Sequence, residues 1–117
     1  MRISVKGRNT PVTDDLREHV TRRFAKIERQ VSPLAELEVE VMEERNPAIA
    51  DSQVAEVTLH LKGVTLRASD ASRDMTHSIN LCAEELSRQV KRHRDKRRKR
   101  RESRAATDLG GGVSPAS

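Results

Sequence analysis

Apolar residues recur at every second position in four short stretches of the chain, and at every third or fourth position in two longer ones. Residues 2–6, RISVK, alternate with Ile3 and Val5 on one face, which predicts a short first strand. Gly7, Asn9 and Pro11 break it. Leu16, Val20, Phe24, Ile27 and Val31 then recur at spacings of four, four, three and four, a helical stripe. Thr13 suits the N-cap of that helix, Asp14 and Asp15 suit its first turn, and Pro33 is expected to end it.

Residues 36–44 put Leu37, Val39 and Val41 on one face and Glu36, Glu38 and Glu40 on the other: a strand with an acidic outer side. Residues 45–52, RNPAIADS, read as a loop. Residues 54–62 alternate again, with Ala55, Val57, Leu59 and Leu61 inward. Lys62-Gly63 is a turn, and residues 64–69 form a fourth strand presenting Val64, Leu66 and Ala68. A second helix is expected to start near Ser72, with Asp74 in its first turn and a stripe of Met75, Ile79, Cys82, Leu86 and Val90. The order β-α-β-β-β-α packs most economically as an α+β two-layer sandwich, with two helices on one face of a four-stranded sheet. At 117 residues this is one domain and a tail. Residues 105–117, AATDLGGGVSPAS, are small, Gly-rich and unpatterned, which suggests a linker or a disordered end.

Charge adds what hydropathy leaves out. Residues 1–87 hold 12 Lys/Arg against 15 Asp/Glu, whereas residues 88–104 hold 11 against 2. A mildly acidic body with a strongly basic end points to a polyanion partner, nucleic acid or an acidic membrane surface. With one Phe and no Trp or Tyr, the core must be aliphatic and aromatic base-stacking platforms are excluded. Recognition would then rest on phosphate geometry and groove shape. A lipid-bound reading lacks an amphipathic face that would insert, and no apolar run has signal or transmembrane length. The cytosol is the simplest location.

Enzymatic chemistry finds little support. His19, His60, His77 and His93 form no His-Glu-x-x-His pair, and the single Cys82 has no disulfide or zinc partner. Gly110-Gly111-Gly112 follows no strand and opens no helix, so it is no phosphate loop. The glutamates of the second strand read as a solvated face. No metal and no cofactor is implied, and the chain reads as a binding protein, not an enzyme.

Three stretches carry a family resemblance. VKGRNTPVTDDLREHVTRRFAKIE (residues 5–28), AEVTLHLKG (residues 55–63) and ASDASRDMTHSINLCAEELSRQVKRHRDK (residues 68–96) resemble, in order and with near-identical spacing, the bacterial ribosome hibernation-promoting factor and ribosome-associated inhibitor family. The resemblance spans residues 3–98 and implies the same β-α-β-β-β-α fold. It implies a stationary-phase or stress factor that binds the small ribosomal subunit of the 70S ribosome between head and body, where mRNA and the A- and P-site tRNAs lie. Such a factor inhibits translation through rRNA contacts, without chemistry. Carried over by position, the contacts would be Arg17, Arg22, Arg23 and Lys26 on the first helix, and Arg88, Lys91, Arg92, Arg94 and Lys96 on the second. The chain departs from the pattern at Thr76, where Tyr is usual, and at Glu85, where Lys is common.

This reading divides the chain into a ribosome-binding domain, residues 1–98, and a basic extension with a Gly-containing tail, residues 99–117. The second helix is expected to stay ordered to about residue 96 and to become a flexible basic extension near residue 97. Long family members add a dimerising C-terminal domain after a linker, so the chain is either a piece of a long form or a natural short form. Either way a monomer on single ribosomes is expected. The alternative is a generic double-stranded RNA- or DNA-binding module without ribosome specificity.

Overall fold

A computed structural model describes residues 1–109 of the chain, with side chains to Glu102. Four strands, β1 (Arg2–Arg8), β2 (Glu36–Glu43), β3 (Gln53–Leu61) and β4 (Val64–Ser72), form one sheet in the order β1-β2-β3-β4. β1 and β2 are parallel and the other neighbours antiparallel. The parallel pair needs a crossover, supplied by α1 (Asp14–Arg23) and the single turn α2 (Ala25–Glu28). The long helix α3 (Met75–Leu109) follows β4. This is the expected α+β sandwich, with its helices on one face of the sheet.

The register shows why alternation predicts the strands. Ile3, Leu37, Leu59 and Leu66 share one cross-sheet row, and Val5, Val39, Val57 and Ala68 share the next. Against these rows pack Val20, Phe24 and Ile27 from α1 and α2, and Ile79, Cys82, Leu86 and Val90 from α3. Phe24 is fully buried, and the burial of such a side chain contributes roughly 1.5–3 kcal/mol. The outer side of the sheet carries Glu36, Glu38, Glu40 and Glu56, paired in part with Arg2, Arg8 and His60.

Two glycines are required where they stand. A Cβ at Gly7 would collide with the backbone carbonyl of Thr10, where the chain leaves β1. Gly63 has φ of 79°, in the tight connection that joins β3 to β4.

Element ends differ from the pattern in instructive ways. The first helix is not continuous to Pro33: Phe24 leaves helical geometry at φ −95°, ψ 4°, and α2 ends at Glu28. The break falls where the apolar spacing changes from four to three. Before Pro33 the chain turns instead, with the Ser32 hydroxyl accepting from the Leu34 amide at 3.1 Å, since proline disfavours helical geometry in the residue before it. Ser72 does not start the second helix but ends β4, opposite Gln53. The cap is Asp74, whose carboxylate accepts from the His77 amide at 3.1 Å. β1 and β4 run longer than alternation suggests, to Arg8 and Ser72. α3 does not give way near residue 97 but continues to Leu109, so residues 105–109 are helical. The Gly110–Ser117 part of the expected linker lies outside the described residues.

Candidate nucleic-acid interface

The Thr13 hydroxyl accepts from the Leu16 amide at 3.1 Å and so starts α1 as its sequence suggests. The cap and the buried Val20 and Phe24 fix the helix's roll. His19 then faces α3, where its ring lies 2.9 Å from the Asn80 amide oxygen, and Arg23 reaches Glu84 at 3.5 Å. The two helix faces meet along a shallow groove. Arg23, Lys26 and Arg88 line one end of it with Glu84 and Ser87; Lys26, Gln30, Arg88, Lys91 and Arg94 line the next section, of about 390 Å³, with Asp95 as its one carboxylate.

All nine carried-over cations are exposed, and five of them converge on this groove: Arg23, Lys26, Arg88, Lys91 and Arg94. The other four do not line it. Arg22 flanks the groove on α1. At about 100° per residue Arg17 lies about 120° around α1 from Arg23, across the apolar stripe of Leu16 and Val20. Arg92 and Lys96 lie on the outer side of α3, one turn and two turns beyond Arg88. Residue type alone could not identify the uncharged wall residues Gln30 and Ser87. For Ser87 a signal existed: it lies one turn after Ala83, and small residues at that spacing let helices approach.

Carboxylates modulate this surface unequally. Glu85 accepts from Arg88 at 2.8 and 3.2 Å and lies 3.8 Å from Arg92. Hydrogen bonds from Arg88 and Gln89 hold its carboxyl below the usual carboxylate range, so Glu85 stays charged and draws both arginines toward itself. No carboxylate among the described residues pairs with Lys26, Lys91 or Arg94. Those three cations are unengaged, a distribution suited to phosphate oxygens.

The remaining reactive side chains have structural partners. Cys82 is buried with its thiol donating to the Ala55 carbonyl at 3.3 Å, and burial pushes its pKa up to about 12, which removes the nucleophilic thiolate at neutral pH. His60 contacts Glu38 on the outer sheet face, far in sequence and on the opposite layer from His19. Among the described residues no three His, Cys, Asp or Glu side chains gather as a metal site would require, and no helix is long and apolar enough to cross a membrane.

Residues 3–98 match the family described as Sigma 54 modulation protein / S30EA ribosomal protein. The ribosome hibernation promoting factor of Salmonella typhimurium is 34% identical over 96 residues, covering 82% of this chain and 96% of that one. A ribosome hibernation promotion factor of Lactococcus lactis is 32% identical over 114 residues, which are 94% of this chain and 57% of the relative. Among solved structures, the Protein Y N-terminal domain of Thermus thermophilus superposes with a TM-score of 0.68 at 26% identity, covering 80% of this chain and 99% of that domain.

Proposed function

The chain belongs to the Sigma 54 modulation protein / S30EA ribosomal protein family, and from that premise we propose that it is a ribosome hibernation factor. It binds the small subunit of the 70S ribosome in the channel for mRNA and the A- and P-site tRNAs, and inhibits translation under stress or in stationary phase. Residues 1–98 form the ribosome-binding domain and residues 99–117 a basic extension. Its work is cytoplasmic and needs no bond-making chemistry: occupying the channel is sufficient.

The observation that carries this reading is the convergence of Arg23, Lys26, Arg88, Lys91 and Arg94 from two helices onto one groove, with the acidic side of the sheet turned the other way. A polyanion is attracted to one layer and repelled by the other, which orients the protein as well as holding it. Arg17, Arg22, Arg92 and Lys96 extend contact to either side of the groove. As this chain it acts as a monomer on single ribosomes.

Co-sedimentation with ribosomal subunits in the presence of excess tRNA and duplex RNA tests this. Saturable one-to-one binding to small subunits, with inhibition of cell-free translation, is expected. Equal affinity for every polyanion would instead establish a generic RNA- or DNA-binding module.

A further inference from the structure

The inward stripe of α3 does not end at Val90; it changes chemistry there. At the helical repeat the next positions on that side are Arg94, Arg97 and Arg101. These arginines are exposed, but they stand on the same side of the helix as its buried stripe. They overhang the end of the domain and look back toward it, enclosing a cleft of about 400 Å³ against the β3–β4 turn and the segment after α2. That volume lies in the range of small-ligand sites, roughly 300–1,000 Å³.

The cleft has two kinds of wall. Its floor is aliphatic: Val31 and Leu61, both half-buried, beside buried Val90. Its rim holds Lys62, Arg94, Arg97, Arg98 and Arg101 against one carboxylate, Asp95. Arg98 lies 3.8 Å from Glu102, but among the described residues no carboxylate pairs with Arg94, Arg97 or Arg101. Gln30 and Ser32 stand at the edge of the floor. Ser32 accepts from the Leu34 amide and so keeps its hydroxyl proton to donate.

We propose that this cleft holds one unstacked nucleotide of single-stranded RNA, with its phosphate among Arg94, Arg97 and Arg101 and its base on Val31 and Leu61. A cationic rim alone would take any phosphate; the apolar floor with polar groups at its edge adds a place for a flat, partly apolar ring. Guanidinium planes, with the His93 ring that lines the same cleft, supply stacking partners in a chain that has no Trp or Tyr. The cleft adjoins the groove between α1, α2 and α3, with Gln30, Arg94 and Asp95 forming the wall common to both. The inference rests on the ribosome-binding reading for the identity of the RNA.

Amide chemical-shift titration tests it, with 5′-AMP, adenosine, inorganic phosphate and a short oligoadenylate as probes. The oligoadenylate should bind most tightly and 5′-AMP more tightly than phosphate, both shifting the amides of Val31, Ser32, Leu61 and Lys62. R97E/R101E should weaken 5′-AMP by about tenfold or more, the loss of two charge-assisted contacts and the gain of two repulsions. R45E, in the distant β2–β3 loop, should change nothing. Phosphate binding as tightly as 5′-AMP would overturn the base-binding floor, and 5′-AMP outcompeting the oligoadenylate would overturn RNA as the occupant. Subunit co-sedimentation of the unaltered protein separates the two claims. Saturable subunit binding with no shifts at the floor overturns the cleft alone. The expected shifts without saturable subunit binding support a nucleotide cleft and overturn the ribosomal reading.

Discussion

From Met75 to Val90, α3 presents an aliphatic stripe to the sheet, while from Lys91 to Glu102 nine of the twelve residues on the same backbone are Lys or Arg. The first half is held by burial: Ile79, Cys82 and Leu86 are fully enclosed. The second half runs about 28 Å past Val90, at 1.5 Å per residue, and none of its described side chains, Lys91 to Glu102, is an aliphatic one. Arg and Lys are good helix formers, but like charges one turn apart oppose them, as at Arg94 with Arg98 and Arg97 with Arg101. The Arg98–Glu102 pair offsets a little of this. The second half is helical because it propagates from a packed half, which removes the cost of nucleation. Stability and recognition are thus separated along one helix, so each can be altered alone.

The same substitution on the two halves gives the largest contrast. Leu86→Asp places an unpaired charge in the core and should abolish folding, whereas Arg100→Asp should leave the urea midpoint nearly unchanged, within about 0.5 kcal/mol. Circular dichroism during urea titration reads both. A folded Leu86→Asp protein would mean that the first half is not a core element.

Next in size is the response to salt. If about six to ten phosphates are contacted, affinity for small subunits should fall by roughly three to five decades between 50 and 200 mM salt, carrying the duplex rule over to folded rRNA. Arg88→Glu with Lys91→Glu should flatten that slope and leave the fold intact, since both side chains are exposed. A slope that does not change would move the contacts off the groove.

The smallest effect is expected at Glu85. Glu85→Gln should tighten subunit binding about two- to fivefold, because it releases Arg88 and Arg92 from an exposed ion pair. Mild acid should not reproduce this, since hydrogen bonds from Arg88 and Gln89 keep Glu85 ionised below the usual carboxylate range. Weaker binding by Glu85→Gln would show that Glu85 positions its arginines instead of competing for them.

Much of this was legible in the sequence, for physical reasons. A side chain that alternates between core and solvent leaves a period-two record, so Leu37, Val39, Val57 and Leu59 identified their strands and their inward face. The helix boundaries were less legible because they depend on side-chain hydrogen bonds. Ser72 and Asp74 are both good caps, and only the pairing of Ser72 with Gln53 decides between them. The break at Phe24 left a trace in the spacing, a three among fours. The five cations of the groove could be nominated from the family resemblance, but their separation from Arg17, Arg92 and Lys96 depends on the roll of each helix. The inward direction of Arg97 and Arg101 was open to extrapolation of the stripe past Val90, and composition concealed it, because a run of cations reads as one solvated segment.

Photo-cross-linking to the small subunit from two opposed positions reads which layer of the protein faces rRNA. A photoreactive side chain at Lys91 samples the groove, and one at Glu56 samples the acidic outer side of the sheet. Cross-links from Lys91 to rRNA of the channel between head and body, lost when tRNA and mRNA fill it, are expected, and none from Glu56 to rRNA. Cross-links to rRNA from Glu56, with Lys91 silent while binding persists, would contradict this orientation.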